Sequence, residues 1–300
     1  MKILSIEFVN NWSWGLIFNS ICANSNNKIE RIFMSDNPQI PAGRHDVILS
    51  QNVTLLKKFK ERVRTVCRLG GNYNFDKVDK LEPLLNEMAK CHCLVATNKK
   101  LYEIASAVNP NTYLLPNGLN LNDWHPPKNI PEHSFTVGFC GNISNEQYRH
   151  YKGYEFVKKA CDNVRVVLKT ALYKDAQIPH GQMMSEFYHK IDVLVHPTLG
   201  EGCSNTLMEA LACGVPCIIT QEAGFHGEMM QDGVNVFFCE RSARSIQDKI
   251  LLLKRDKDLR EFISRNARNF AEKHHDIRII AKKYEEIFKN CQKANQSKED

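Results

Sequence analysis

Apolar residues along the chain come in short unbroken runs separated by longer stretches in which they recur every three or four positions. Unbroken runs read as strands buried on both faces, as in parallel sheets, and the spaced stretches read as amphipathic helices. The pattern predicts strands at residues 3–9, 31–34, 47–49, 63–68, 94–97 and 112–115, with helices beginning near residues 15, 53, 81 and 98. A second series follows, with strands at 135–140, 164–169, 193–196, 216–220 and 235–238, and helices at 154–160, 183–189, 204–213, 242–253 and from 259 onward. Two such series predict an α/β protein of two Rossmann-like halves. The polar stretch 117–130, which carries Pro126 and Pro127, interrupts the pattern and is the expected interdomain hinge. The expected domains are residues 1–120 and 121–290, followed by a polar, frayed tail at 291–300. Three hundred residues exceed what one compact core organises, which agrees with two domains.

The segment EGCSNTLMEALACGVP, from Glu201 to Pro216, carries the densest chemistry. Ser204, Asn205 and Thr206 are residues that cap helix starts, and Gly214 followed by Pro216 is a helix stop. The N-terminus of that helix offers unpaired backbone N–H groups and the positive end of the helix dipole, and Gly202 lets an anion approach the backbone. Glu209 falls among Leu207, Met208, Ala210, Leu211 and Ala212, where a carboxylate costs several kcal/mol to bury without hydrogen bonds. Vicinal hydroxyls, as on a ribose, would supply them; the alternative is a plain capped helix with Glu209 at an exposed edge. Apolar runs on both sides, IDVLVHP and VPCIIT, place the segment at the C-terminal edge of a parallel sheet, where ligands of open α/β sheets bind.

The string HPTLGEGCSNTLMEALACGVPCIIT resembles the E-x7-E signature of retaining glycosyltransferases of the GT-B fold, family 4, also called group 1, with Glu201 and Glu209 on its two glutamates. LLPNGLNLNDWHP, FTVGFCGNIS with the following YKG, and the C-terminal helices resemble further blocks of the family in order and spacing, over about residues 93–290. The resemblance implies two Rossmann-like β/α/β domains facing across a cleft, closing over the donor about the 117–130 hinge. It implies transfer of a sugar from a nucleotide diphosphate sugar to a hydroxyl acceptor (glycan, lipid-linked or small molecule) with retention at the anomeric carbon. It needs no metal and no cofactor beyond the donor substrate. Glu201 would hold the donor sugar and steady charge at the reacting carbon, Lys152 would neutralise the diphosphate, and Glu209 would bind the ribose. Gly141, Asn142, Gly202, Cys203, Ser204, Asn205 and Thr206 complete the expected donor site, with Gly15 contributed by the first half.

The chain departs from the family in several places. Asn142 stands where relatives often carry a phosphate-binding arginine, and the NEQYRHY insert that follows leaves Arg149 as a replacement candidate. The base-stacking Gly-x-Gly is absent from LKTALYKDAQIP. Where relatives often have a histidine in the first half, the sequence reads Ser50, Gln51 and Asn52. Trp12 and Trp14 in NNWSWGLIFNS would stack on a sugar or cap a domain face, and GGNYN at 70–74 would form a flexible lip. These departures keep two alternatives open: a degenerate nucleotide-sugar-binding protein, or an epimerase or hydrolase.

Composition narrows the field. Hydrophobic content of 43% and charged content of 25% are globular values, and no apolar run reaches membrane-spanning length. MKILSIEFV reads as a strand without a signal-peptide cleavage site, so a cytoplasmic location is expected. A net charge of +6 is too small to imply nucleic acid. The basic stretch LLKKFKERVR, Leu55 to Arg64, reads either as a helix touching the inner face of an anionic membrane or as a solvated face. Eleven scattered cysteines suit reduced core thiols. Cys91, His92 and Cys93 have no second cluster at zinc spacing, and His274 with His275 reads as a solvated pair, so no metal site is expected.

Overall fold

The computed structural model describes residues 1–7, 13–34, 45–51, 53–56, 63–71, 78–128, 133–172 and 178–293, with backbone alone at 13, 14, 54 and 78–80. The chain divides into two compact units. One comprises Met1–Gly118 and the chain from Asp276 onward, and the other Leu119–His275.

In the first unit the elements run β1 (Lys2–Glu7), α1 (Ser13–Ala23), β2 (Lys28–Phe33), β3 (Val47–Ser50), α2 (Val53–Leu56), β4 (Arg64–Leu69), α3 (Val78–Ala89), β5 (Cys93–Ala96), α4 (Lys99–Ser106) and β6 (Thr112–Leu114). The strands form one parallel sheet in the order β2-β1-β3-β4-β5-β6. Alternate side chains of each apolar run go to opposite faces. Ile3, Val47, Leu49, Val66, Cys93 and Val95 enter one core, while Leu4, Ile48, Cys67, Leu94 and Ala96 enter another. The first core is completed by Ile17, Phe18 and Ile21 of α1 and by Ile277, Ile280, Tyr284, Ile287 and Phe288 of the last described helix, Ile277–Lys293. Sequence periodicity assigns that helix to the second domain; the structure gives it to the first. Its apolar stripe is the cover for a sheet face made some two hundred residues earlier, a long-range pairing that local periodicity does not encode.

The second unit contains β7 (Thr136–Gly141), α5 (Glu146–Lys152), α6 (Tyr154–Val164), β8 (Val167–Leu172), α7 (Met183–Glu186), β9 (Val193–His196), α8 (Asn205–Ala212), β10 (Cys217–Ile219), α9 (Phe225–Met229), β11 (Phe237–Phe238), α10 (Ala243–Arg255) and α11 (Lys257–His275). The helix at Ile277–Lys293 is α12. The parallel sheet has the order β11-β10-β9-β7-β8. Val137, Phe139, Val193, Val195 and Ile218 pack on one side with Val157 of α6 and Ile246 and Ile250 of α10. Leu194, Cys217 and Ile219 pack on the other with Leu207 and Leu211 of α8 and Ala267 and Phe270 of α11.

Local boundaries shift for identifiable reasons. Arg165, at φ 52°, ends α6 in a left-handed turn, so the strand expected from residue 164 starts at Val167. The insert NEQYRHY is helical from Glu146, within α5, with the Asn145 side chain accepting from the Tyr148 N–H at 2.8 Å. Most of the basic segment at 55–64, Trp12, the hinge beyond Lys128 and the loop at 72–74 lie outside the described residues. Among the described residues no helix is long and apolar enough to cross a membrane.

Candidate functional site

The loop leaving β9 and the start of α8 form one rigid piece. Ser204, in an extended conformation, caps α8 by accepting from the Leu207 N–H at 3.4 Å. The loop before it is held at Glu201, whose N–H donates to the Glu222 carbonyl at 3.0 Å, and at Gly202, whose carbonyl accepts from the Phe225 N–H at 2.9 Å. Gly224 makes this fit possible. It sits at φ +65°, and a Cβ there would lie 2.3 Å from the carbonyl oxygens of both Glu201 and Gly202.

Against this loop lies the α5–α6 turn. Lys152 is the last residue of α5, and Gly153 follows at φ +71°. A side chain at Gly153 would come within 2.6 Å of the Pro197 carbonyl oxygen. Two hydrogen bonds fix the approach: Leu199 N–H to the Tyr151 carbonyl at 3.0 Å and Tyr151 hydroxyl to the Gly200 carbonyl at 2.6 Å. As a result the Lys152 ammonium closes an ion pair with Glu201 Oε1. His196, fully buried at the end of β9, places Nε2 3.4 Å from the same oxygen and 3.4 Å from Ser204 Oγ. Burial opposes charge on Glu201, but Lys152 and the His196 contact outweigh it and hold its pKa down to about 2. The carboxylate is therefore ionised at neutral pH. Burial also lowers the pKa of His196, against the pull of Glu201.

Glu209 is buried, as the apolar company of its neighbours requires, and has two protein partners. The Tyr188 hydroxyl donates to Oε2 at 2.8 Å, and His180 Nε2 lies 2.9 Å from Oε1. A carboxylate only accepts, so that Nε2 carries the proton. The hydrogen bond to Glu209 raises the His180 pKa against its partial burial. Burial, reinforced by the Glu209 charge, pushes Tyr188 far up, so the phenol stays a donor. Trp124 packs its ring on both partners, with centroids 5.3 Å from His180 and 5.7 Å from Tyr188. Each Glu209 oxygen accepts one of these bonds and retains capacity for another.

Of the other expected site residues, Thr206 lies in the first turn of α8, its hydroxyl 3.7 Å from Cys140 Sγ at the end of β7. Gly141 closes β7, and a Cβ there would touch Lys152 Cγ at 3.6 Å, an ordinary contact. Asn142 turns its side-chain oxygen onto the Ser144 N–H at 2.9 Å. Arg149 is half-exposed and 3.5 Å from Glu155, so its nearest described anion is a surface glutamate. Gly138 serves packing: a Cβ there would strike Ile191 Cδ1 at 2.4 Å. Gly15 lies within α1 of the first unit, where its carbonyl accepts from Arg31 at 3.3 Å. His196, His180, Tyr188 and Tyr151 escape a reading by motif, although His196 in the run VLVHP stands out as a polar residue in an apolar strand. His275, read as solvated, is fully buried.

The chain is similar to known glycosyltransferases. Residues 122–270 match the model of the family described as glycosyl transferases group 1. The chain is 25% identical over 185 residues to the capsular polysaccharide biosynthesis glycosyltransferase CapM of Staphylococcus aureus, covering 55% of this chain and 48% of that protein. It is 31% identical over 108 residues to an uncharacterised glycosyltransferase of Methanocaldococcus jannaschii, covering 35% and 30%. The matched stretches thus span about half or less of the length of these curated relatives. Among solved structures, Anabaena HepE in complex with UDP-glucose superposes with a TM-score of 0.76 at 16% identity, covering 97% of this chain and 100% of that one. That likeness shows the fold, which is GT-B.

Proposed function

From a chain whose residues 122–270 belong to the group 1 glycosyltransferases, we propose an enzyme that moves a sugar from a nucleotide diphosphate sugar to a hydroxyl acceptor with retention at the anomeric carbon. The observation that carries the reading is the Lys152–Glu201 pair, because it sets a cation from the end of α5 and an ionised carboxylate from the loop before the capped start of α8 against each other. A diphosphate arriving there shares the Lys152 ammonium and meets the helix N-terminus, near Gly141, Asn142 and the segment from Gly202 to Thr206. Both stabilise the negative charge that grows on the leaving diphosphate, so no divalent cation is needed for departure. Glu201, partly released from Lys152, faces the donor sugar and steadies positive charge at the reacting carbon. Glu209, steadied by Tyr188 and His180, accepts from the ribose hydroxyls with its remaining lone pairs.

UDP-glucose is the first donor to test, since Anabaena HepE, which shares the fold, was solved in complex with it. A saccharide hydroxyl is the first acceptor class to test, since the Staphylococcus aureus relative is a glycosyltransferase of capsular polysaccharide biosynthesis. Purified protein, a panel of nucleotide sugars without added divalent cations and NMR of the product anomer test the reading directly. Inverted product, or a strict requirement for Mg²⁺ or Mn²⁺, overturns the mechanism. Binding without turnover across donors and acceptors identifies a nucleotide-sugar-binding protein instead.

A further inference from the structure

Three metal-ligating side chains from separate segments converge behind the Glu201 loop. Cys203 precedes the α8 cap, His226 lies in α9 and His275 ends α11. One ligand atom from each, the Cys203 sulfur and a ring nitrogen of each histidine, lies within 4.8 Å of the other two. All three residues are buried, the two histidines completely. Neither ring nitrogen of His226 has a hydrogen-bond partner, and His275 Nε2 beside it has none either. Leaving two imidazole nitrogens dry and unbonded is costly, which marks the cluster as built for something that supplies bonds.

The surroundings are aromatic and closed. The His226 and His275 rings stack 5.1 Å apart, and Phe225 and Phe270 pack against both.

We propose that Cys203, His226 and His275 bind one zinc ion, as a structural site separate from the Lys152–Glu201 pair. One thiolate and two imidazoles are a borderline-soft set suited to Zn²⁺, and closing to bond lengths of about 2.0–2.3 Å takes only a small inward shift of the three groups. Binding releases the Cys203 thiol proton to solvent, so the ion and thiolate together carry one positive charge. The Glu201 carboxylate, close enough to be felt at His226, offsets it. The fourth position is left for water. The ion would tie the loop that presents Glu201 and the α8 cap to α9 and to the point where the chain leaves the second unit. Zinc occupancy then governs how firmly that loop is held.

Metal-stripped full-length protein is titrated with Co²⁺ and Zn²⁺ and followed by absorbance and calorimetry. The proposal expects one equivalent bound, tetrahedral-type cobalt bands with a thiolate-to-metal transition, and displacement of cobalt by zinc. Zinc at about a hundredfold its Kd should raise the Tm by roughly 5–10 °C. Cys203→Ser should abolish the thiolate transition, and His226→Gln and His275→Gln should each weaken binding at least tenfold. X-ray absorption at the zinc edge of the wild-type complex needs no variant and should report one sulfur and at least two imidazole nitrogens. Absence of one-equivalent binding, a first shell without sulfur, or a thiolate band that survives in a folded Cys203→Ser variant would each overturn the assignment.

Discussion

The Lys152 ammonium and the Glu201 carboxylate, forty-nine positions apart, are joined in an ion pair that both Gly153 and Gly224 permit. If the diphosphate is received at that pair, its two members should fail differently. Lys152→Ala should lower kcat about 10²–10³-fold and also weaken UDP, because the lost cation binds the diphosphate in the ground state and stabilises it more strongly as its charge grows in the transition state. Glu201→Gln should depress kcat and kcat/KM together with little change in UDP affinity. Steady-state kinetics with calorimetric UDP binding separate the two, and full turnover by Glu201→Gln would exclude that carboxylate from the reaction.

Gly224→Ala drives a Cβ into the Glu201 and Gly202 carbonyls, and the left-handed backbone adds strain. The expected result is a loss of about 2–4 kcal/mol in stability, with activity falling further than stability because the Glu201 loop is displaced. Urea unfolding and single-turnover rates check both. Gly181, where a Cβ meets nothing within 4 Å, is the control, and Gly181→Ala should change neither.

Glu209 should report on nucleotide binding. Glu209→Gln should weaken UDP by about 1–3 kcal/mol, the range for a charged hydrogen-bond acceptor. Tyr188→Phe should cost a similar amount in stability and less in affinity, since it removes a partner of the carboxylate and leaves the carboxylate itself. Unchanged UDP affinity in folded Glu209→Gln would end the ribose assignment.

The His180–Glu209 contact should make stability depend on pH. The groups facing His180 are the Glu209 carboxylate and the Trp124 ring, with the neutral Tyr188 phenol beside them. The His180 pKa is raised in the folded state, so its contribution is fully present below the unfolded value of about 6.5 and is lost as pH rises through the folded value. The stability difference between wild type and His180→Gln should therefore be largest below the unfolded value of about 6.5 and shrink as the pH rises past it. Equal differences at every pH would show that the imidazole contributes by packing alone.

Tyr284 and Phe288 of α12 belong to the core of the first unit. Phe288→Ala should cost about 3–5 kcal/mol and speed hydrogen exchange in β1, β3 and β4 while leaving β7 and β9 protected. Loss of protection in β7 and β9 instead would contradict the assignment of α12.

Much of the second unit is legible in the sequence because its signals are local. An apolar run, a Ser cap three residues before Leu207 and a following Gly-Pro stop fix α8 to within a residue or two, and with it the positions of Glu201 and Glu209. What the sequence conceals is pairing at a distance. Nothing near Glu209 announces that Tyr188 and His180 satisfy it, so its burial suggests a ligand more strongly than the structure requires. His274 and His275 look alike in sequence, yet His275 is fully buried against Phe225 and His226 while His274 lies half-buried on Phe270. Helix α12 carries a clear apolar stripe, but a stripe does not say which sheet it covers.

The placement of α12 also sets the order of events during synthesis. The second unit is continuous, from Leu119 to His275, and can complete its core as it emerges; the first cannot. Its six strands are made before residue 118, but one face of them waits for roughly 160 further residues, about 8–30 s at ordinary translation rates. During that interval Ile3, Val47, Val66 and Val95 face solvent, a nascent chain or a chaperone. The portion translated first is thus the portion finished last.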